Sequence, residues 1–142
     1  MNRKPAPVRE ILQKIQPYQP GKPISEVQRE LGLDKVIKLA SNENHLGAAP
    51  SAKKALQDSI DQVHLYPDGA GYELKAALSD FYGFAPEEII LGNGSNEIVE
   101  HICEAYLNNG EKAAMCWPAF VKYRIAIRIM GSEPVEVPMK PK

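Results

Sequence analysis

The sequence predicts an α/β protein: a parallel sheet with helices packed on its faces. Two patterns predict it. From residue 50 onward, amphipathic stretches of helical period alternate with short apolar runs of strand length, and glycine- or proline-rich turns separate the two kinds. Composition is the third observation: 142 residues, 44% hydrophobic and 25% charged, are ordinary for a globular chain and long enough for one domain with a core.

Val8, Ile11, Leu12 and Ile15 repeat at helical spacing, and Pro17, Pro20 and Pro23 stop that helix, so the opening segment reads as an arm. Ser25 and Gln28 form a capping box ahead of Val27 and Leu31, with Gly32 at the helix C-cap. Val36, Ile37 and Leu39 then predict a brief strand running into the polar loop Ser41-Asn42-Glu43-Asn44. Ala52, Ala55, Leu56 and Ile60 mark one amphipathic helix. Leu74, Ala77, Leu78 and Phe81 mark another, closed by Gly83, and the turn Tyr66-Pro67-Asp68-Gly69-Ala70-Gly71 lies between them. Ile89-Ile90-Leu91 predicts a short buried strand, and Ile98, Ile102, Ala105 and Tyr106 a helix that Asn108-Asn109-Gly110 terminates. A strand over 113–117, a helix through Phe120, Tyr123, Ile127 and Met130 with Gly131 after it, and a last strand over 135–139 complete a βαβαβ series. A chain ending directly after a strand leaves the sheet without the elements that would cover its edges, which suggests truncation.

Charge and composition exclude several functions. Seventeen basic against eighteen acidic residues leave a net charge of −1, so no field favours nucleic acid or an anionic membrane. The basic start MNRKPAPVRE precedes no apolar h-region, and no apolar stretch is long enough to span a bilayer, which predicts a cytoplasmic protein. Cys103 and Cys116 lack CxxC spacing and read as small buried hydrophobes. His45, His64 and His101 show no ligand spacing, so no metal site is expected.

The chemistry concentrates in three places. Gly92-Asn93-Gly94-Ser95-Asn96-Glu97 lies between a predicted strand and helix, where glycines allow close backbone approach and first-turn amides favour an anion such as phosphate. It is neither GxGxxG, since Glu97 takes the third glycine position, nor a P-loop. The same residues also suit a plain turn capped by Ser95 or Asn96. Trp117-Pro118-Ala119-Phe120-Val121-Lys122-Tyr123 follows a strand at the edge where open α/β sheets bind ligands; its aromatics suit ring stacking, and equally suit a core at helical spacing. Tyr66 sits in a proline turn with its hydroxyl available as a donor.

Read in order, Pro17-Tyr18-Gln19-Pro20-Gly21-Lys22-Pro23, Lys38-Leu39-Ala40-Ser41-Asn42-Glu43-Asn44, Tyr66-Pro67-Asp68-Gly69, Gly92-Asn93-Gly94-Ser95-Asn96-Glu97 and Pro118-Ala119-Phe120 form a series. It resembles the successive motifs of the histidinol-phosphate aminotransferases, class-II pyridoxal-phosphate-dependent enzymes of fold type I, over nearly the whole chain. The resemblance implies a partial three-layer α/β/α sandwich: the incomplete large domain of that fold with an N-terminal arm. Residues 1–34 would form the arm and the start of the small domain, and 35–142 the first part of the cofactor-binding domain.

The resemblance also implies roles. Gly94, Ser95 and Asn96 would hold the phosphate of pyridoxal 5′-phosphate, and Phe120 would stack on its ring. Tyr66 would reach the cofactor phosphate of a neighbouring subunit in a homodimer. Tyr18 and Asn42 would grip the substrate. The implied reaction converts histidinol phosphate and 2-oxoglutarate to imidazole-acetol phosphate and glutamate, in histidine biosynthesis. Two residues depart from the pattern: His45 stands where the family has proline, and Ala119 where it has threonine. The Schiff-base lysine, the aspartate at the pyridine nitrogen, the asparagine and tyrosine at the ring oxygen and the carboxylate-binding arginine all map beyond Lys142. Lys112, Lys122 and Lys140 read as solvated surface residues. The 142 residues alone are therefore expected not to transaminate. Two other readings stand beside a partial enzyme: a non-catalytic remnant that docks on a full-length relative, and a related pyridoxal-phosphate enzyme such as an amino-acid-phosphate decarboxylase.

Overall fold

The computed structural model describes residues 7–140. They form two compact units, one from residues 7–18 and 84–140, the other from 19–83.

In the unit of residues 19–83, helix α2 (Ile24–Leu31) ends on Gly32 in the left-handed conformation, as the sequence predicts. Its start differs from the expected capping box. Pro23 is the N-cap, with its φ of −61° setting the entry, and Ser25 is already inside the helix with no capping bond. The Gln28 amide instead donates to the Asp34 carbonyl at 2.9 Å, and Lys22 pairs with Glu30 at 2.6 Å. Helix α3 (Pro50–Asp58) begins with proline at its first position, where the missing N–H costs nothing, and α4 (Tyr72–Tyr82) closes on Gly83. The strand expected at Val36 to Leu39 does not form. The segment has no ladder partner, and Leu39 is 89% exposed. A β-branched apolar run becomes a strand only when another backbone satisfies its N–H and C=O groups.

The other unit contains helix α1 (Glu10–Gln13), α5 (Ser95–Tyr106), strand β1 (Lys112–Trp117), α6 (Val121–Ile129) and strand β2 (Glu133–Pro138). β1 and β2 pair in parallel from Lys112↔Glu133 to Trp117↔Pro138, and α6 crosses over between them, packing on both strands and on α5. Cys103, Met115, Ala126 and Ile127 are the buried hydrophobic core. Two expectations are corrected here. Ile89-Ile90-Leu91 forms no strand among the described residues, and Ile90 is 72% exposed, for the same want of a partner. Cys116 is exposed while Cys103 is buried, because side chains alternate along β1 and Met115 takes the covered side. Both cysteines are free.

Candidate functional site

The loop that enters α5 is shaped by two glycines and one carboxylate. A Cβ at Gly92 would lie 2.8 Å from Ile98 Cδ1 and 3.1 Å from Glu97 Oε2, so any larger residue there would have to displace those side-chain tips. Gly94 is the N-cap of α5 at φ 80°, ψ 175°, a region essentially reserved for glycine. Glu97 Oε2 accepts the Asn93 N–H at 2.5 Å and the Asn93 side-chain amide at 3.0 Å, tying the loop to the first turn from within the helix. That backbone hydrogen bond holds the Glu97 carboxyl below its usual range against a small opposing effect of desolvation.

The consequence lies at the helix start. The plain capped turn is not what forms: no side chain caps α5, and Ser95 is its first helical residue rather than its cap. The amides of the first turn have no intrahelical acceptor, and they point where the helix dipole is positive. With the Ser95 hydroxyl and the Asn96 amide beside them, they form a donor set suited to a phosphate.

The second feature lies at the end of β1, where the Trp117–Pro118 peptide is cis and Phe120 is the N-cap of α6 with extended backbone. Phe120 and Tyr123 are half-buried, at 40% exposure each, so neither is the core residue that helical spacing alone allowed. The Phe120 ring meets Tyr18 edge-on at 6.0 Å and 85°, and Tyr123 at 6.2 Å and 82°. Lys122 in the first turn of α6 is ion-paired with Glu100 in the second turn of α5. The starts of the two helices, with Ser95 and Phe120, are therefore held at the same end of the pair. A partly open aromatic face at the start of α6 and a bare N-terminus on the adjacent α5 suit a planar ring that carries a phosphate, so the residues present fit pyridoxal 5′-phosphate.

Among the residues the sequence singles out, the structure brings Tyr18 to Phe120 within one unit. Tyr66 and Asn42 belong to the other. Tyr66 is fully exposed in a turn held by Asp68, whose carboxylate accepts the Tyr72 N–H at 2.7 Å and the Ala70 N–H at 3.0 Å. Those two bonds, the one from Tyr72 foremost, hold the Asp68 carboxyl below its usual value. Asn42 follows Ser41 in a tight turn, both at positive φ. Sequence reasoning missed Arg124. Its guanidinium lies over the Trp117 ring at 4.2 Å and bonds Glu136 at 2.5 Å, contacts that no local pattern announces.

An uncapped helix start and a partly open aromatic after the next strand, on a parallel αβαβ framework, are features that suit a cofactor-binding protein. The match is direct: residues 34–142 fit the model of the family aminotransferase class I and II, and the chain belongs to that family. Curated relatives narrow the resemblance. The chain is 49% identical over 132 residues to a histidinol-phosphate aminotransferase of Caldicellulosiruptor saccharolyticus, covering 93% of this chain and 37% of the relative. It is 48% identical to that of Moorella thermoacetica, covering 93% and 34%. Among solved structures, histidinol-phosphate aminotransferase from Sinorhizobium meliloti in complex with pyridoxal-5′-phosphate superposes with a TM-score of 0.83 at 20% identity, over 96% of this chain and 36% of that one. Aspartate aminotransferase from Rhizobium meliloti gives 0.62 at 18% identity, over 95% and 34%. The fold is therefore that of the fold type I aminotransferases, in part: the chain spans about a third of the length of the curated relatives it matches.

Proposed function

We propose that this chain is the part of a histidinol-phosphate aminotransferase that holds the cofactor phosphate and stacks on its ring. The observation that carries the reading is the uncapped start of α5, where Gly94 is the N-cap and the first-turn amides have no intrahelical acceptor. Similarity at close to half identity to enzymes of that name supports the substrate assignment.

Pyridoxal 5′-phosphate, when bound, supplies the electron sink that stabilises negative charge at the α-carbon of an amino acid. This chain's residues bind and orient. The α5 amides, the Ser95 hydroxyl and the Asn96 side chain would hold the phosphate by hydrogen bonds, and Phe120 would stack on the ring and orient it. Tyr18, in edge contact with Phe120, grips the substrate, histidinol phosphate in one half-reaction and 2-oxoglutarate or glutamate in the other. Tyr66, with its whole side chain open to solvent, reaches the phosphate bound by a second copy, making the working unit a homodimer. The reading also places the protein in the cytoplasm; no helix among the described residues is long and apolar enough to cross a membrane.

The test is glutamate formation from histidinol phosphate and 2-oxoglutarate by the protein as its gene encodes it. We expect turnover with histidinol phosphate and much slower turnover with histidinol. Equal rates on the two, or turnover only with another amino acid, would overturn the substrate assignment. The 142 residues alone contain no lysine at the cofactor-bearing position of the family and are expected to turn over neither.

A further inference from the structure

We infer that Arg124 is a positioning residue for the ring of Phe120, acting through a three-element clamp on the connection between β1 and α6. The inference rests on the reading of Phe120 as the cofactor-stacking ring. Phe120 is not anchored in the core: it sits half-exposed on a connection of three residues between the end of β1 and the first turn of α6. Beside its edge contacts with Tyr18 and Tyr123, its orientation depends on what fixes the two ends of that connection.

Arg124 lies at the junction. Its guanidinium covers the Trp117 ring, at the last position of β1, with 4.2 Å to the ring centroid. Its Nη2 reaches Glu136 Oε1 on β2 at 2.5 Å. Its own backbone is in the first turn and a half of α6. One side chain thus joins the strand that delivers Phe120, the helix that receives it and the neighbouring strand. The Trp117 backbone is held as well, since its carbonyl accepts the Met139 N–H at 2.9 Å. The Arg124 Nε–H is buried without an acceptor, so the guanidinium is oriented by the aromatic face and the carboxylate rather than by a full set of hydrogen bonds. A planar cation is needed for this: lysine keeps the charge near Glu136 but cannot lie flat on the indole.

A clamp that serves Phe120 and one that merely stabilises the fold differ in a double-mutant cycle read on cofactor affinity. Dissociation constants for pyridoxal 5′-phosphate are measured by absorbance titration on the protein as its gene encodes it, in the wild type, F120L, R124Q and F120L/R124Q. F120L is expected to weaken binding by about tenfold and R124Q by roughly three- to tenfold, the range of an aromatic stacking contact. The double variant is expected to bind no worse than F120L, because Arg124 acts only through the ring. Losses that multiply, or an R124Q protein that binds like the wild type while F120L is weak, would overturn the clamp and leave the reading of Phe120 standing. An F120L protein that binds like the wild type would overturn that reading and the clamp's role with it. If R124Q loses its far-ultraviolet circular dichroism, R124K carries the same comparison, since it removes the planar contact and retains the cation.

Discussion

Gly94 sets the geometry of the α5 start at the scale of single residues. Its φ of 80° with ψ near 175° is a conformation other residues adopt only under strain. G94A is therefore expected to cost about 1–3 kcal/mol of stability and to weaken cofactor binding together with it; chemical denaturation and a cofactor titration would show both, and unchanged values in either would argue against the geometry. Asp68 offers a pH-dependent counterpart in the Tyr66 turn. Its folded pKa is depressed by the Tyr72 and Ala70 amides, so its contribution is present above the unfolded carboxylate value and is lost as pH falls through the folded one. The Tyr72 amide resonance should thus stay constant from neutral pH down to about 4 and shift only in more acidic solution; an amide that titrates near neutrality would contradict the bond. Cysteine reactivity is a third check. Burial, and then the charges of Glu100 and Glu104, push the Cys103 thiol up, whereas Cys116 lies open on β1. Alkylation followed by peptide mass mapping should label Cys116 well before Cys103, and the reverse order would contradict the face assignment of β1. The sequence could not reveal that difference, because alternation along a strand says which residues share a side but not which side is covered.

Elements were legible to the extent that their signals are local. Helix period and glycine stops located α2 and α4 to α6, and the Gly92–Glu97 stretch located the start of α5, because a helix start is written in consecutive residues. Strands are non-local. The apolar runs at 36–39 and 89–91 carry the same signal as β1 and β2, yet only the latter pair, and pairing depends on a backbone elsewhere in the chain. In the 142-residue chain, hydrogen exchange should therefore be slow in the β1–β2 ladder and fast at Ile89 to Leu91; equal protection would mean that a third strand exists. Arg124 was illegible for the same reason, since its partners Trp117 and Glu136 are brought to it by the crossover and not by spacing. Tyr123 had a signal, three residues after Phe120, but helical spacing alone could not separate a core aromatic from one that flanks an open ring.

For the molecule as a whole, much apolar surface lies open. Among the described residues only four hydrophobic ones are buried, while Leu39, Leu46, Val63, Phe81 and Tyr106 are each more than three-quarters exposed, and an apolar groove of about 290 Å³ lies open between α5, β1 and α6. Parallel sheets are normally covered on both faces. The 142-residue chain on its own is thus expected to bind hydrophobic dyes and to self-associate; a monomer that unfolds cooperatively would contradict this. The central claim, that the start of α5 holds a phosphate, is tested most directly by comparing affinities for pyridoxal 5′-phosphate and pyridoxal in the wild type and in an S95A/N96A variant, using the protein as its gene encodes it. The account predicts that the wild type strongly prefers the phosphorylated form and that the variant loses most of that preference with little change towards pyridoxal. A preference that survives the double substitution unchanged would contradict it.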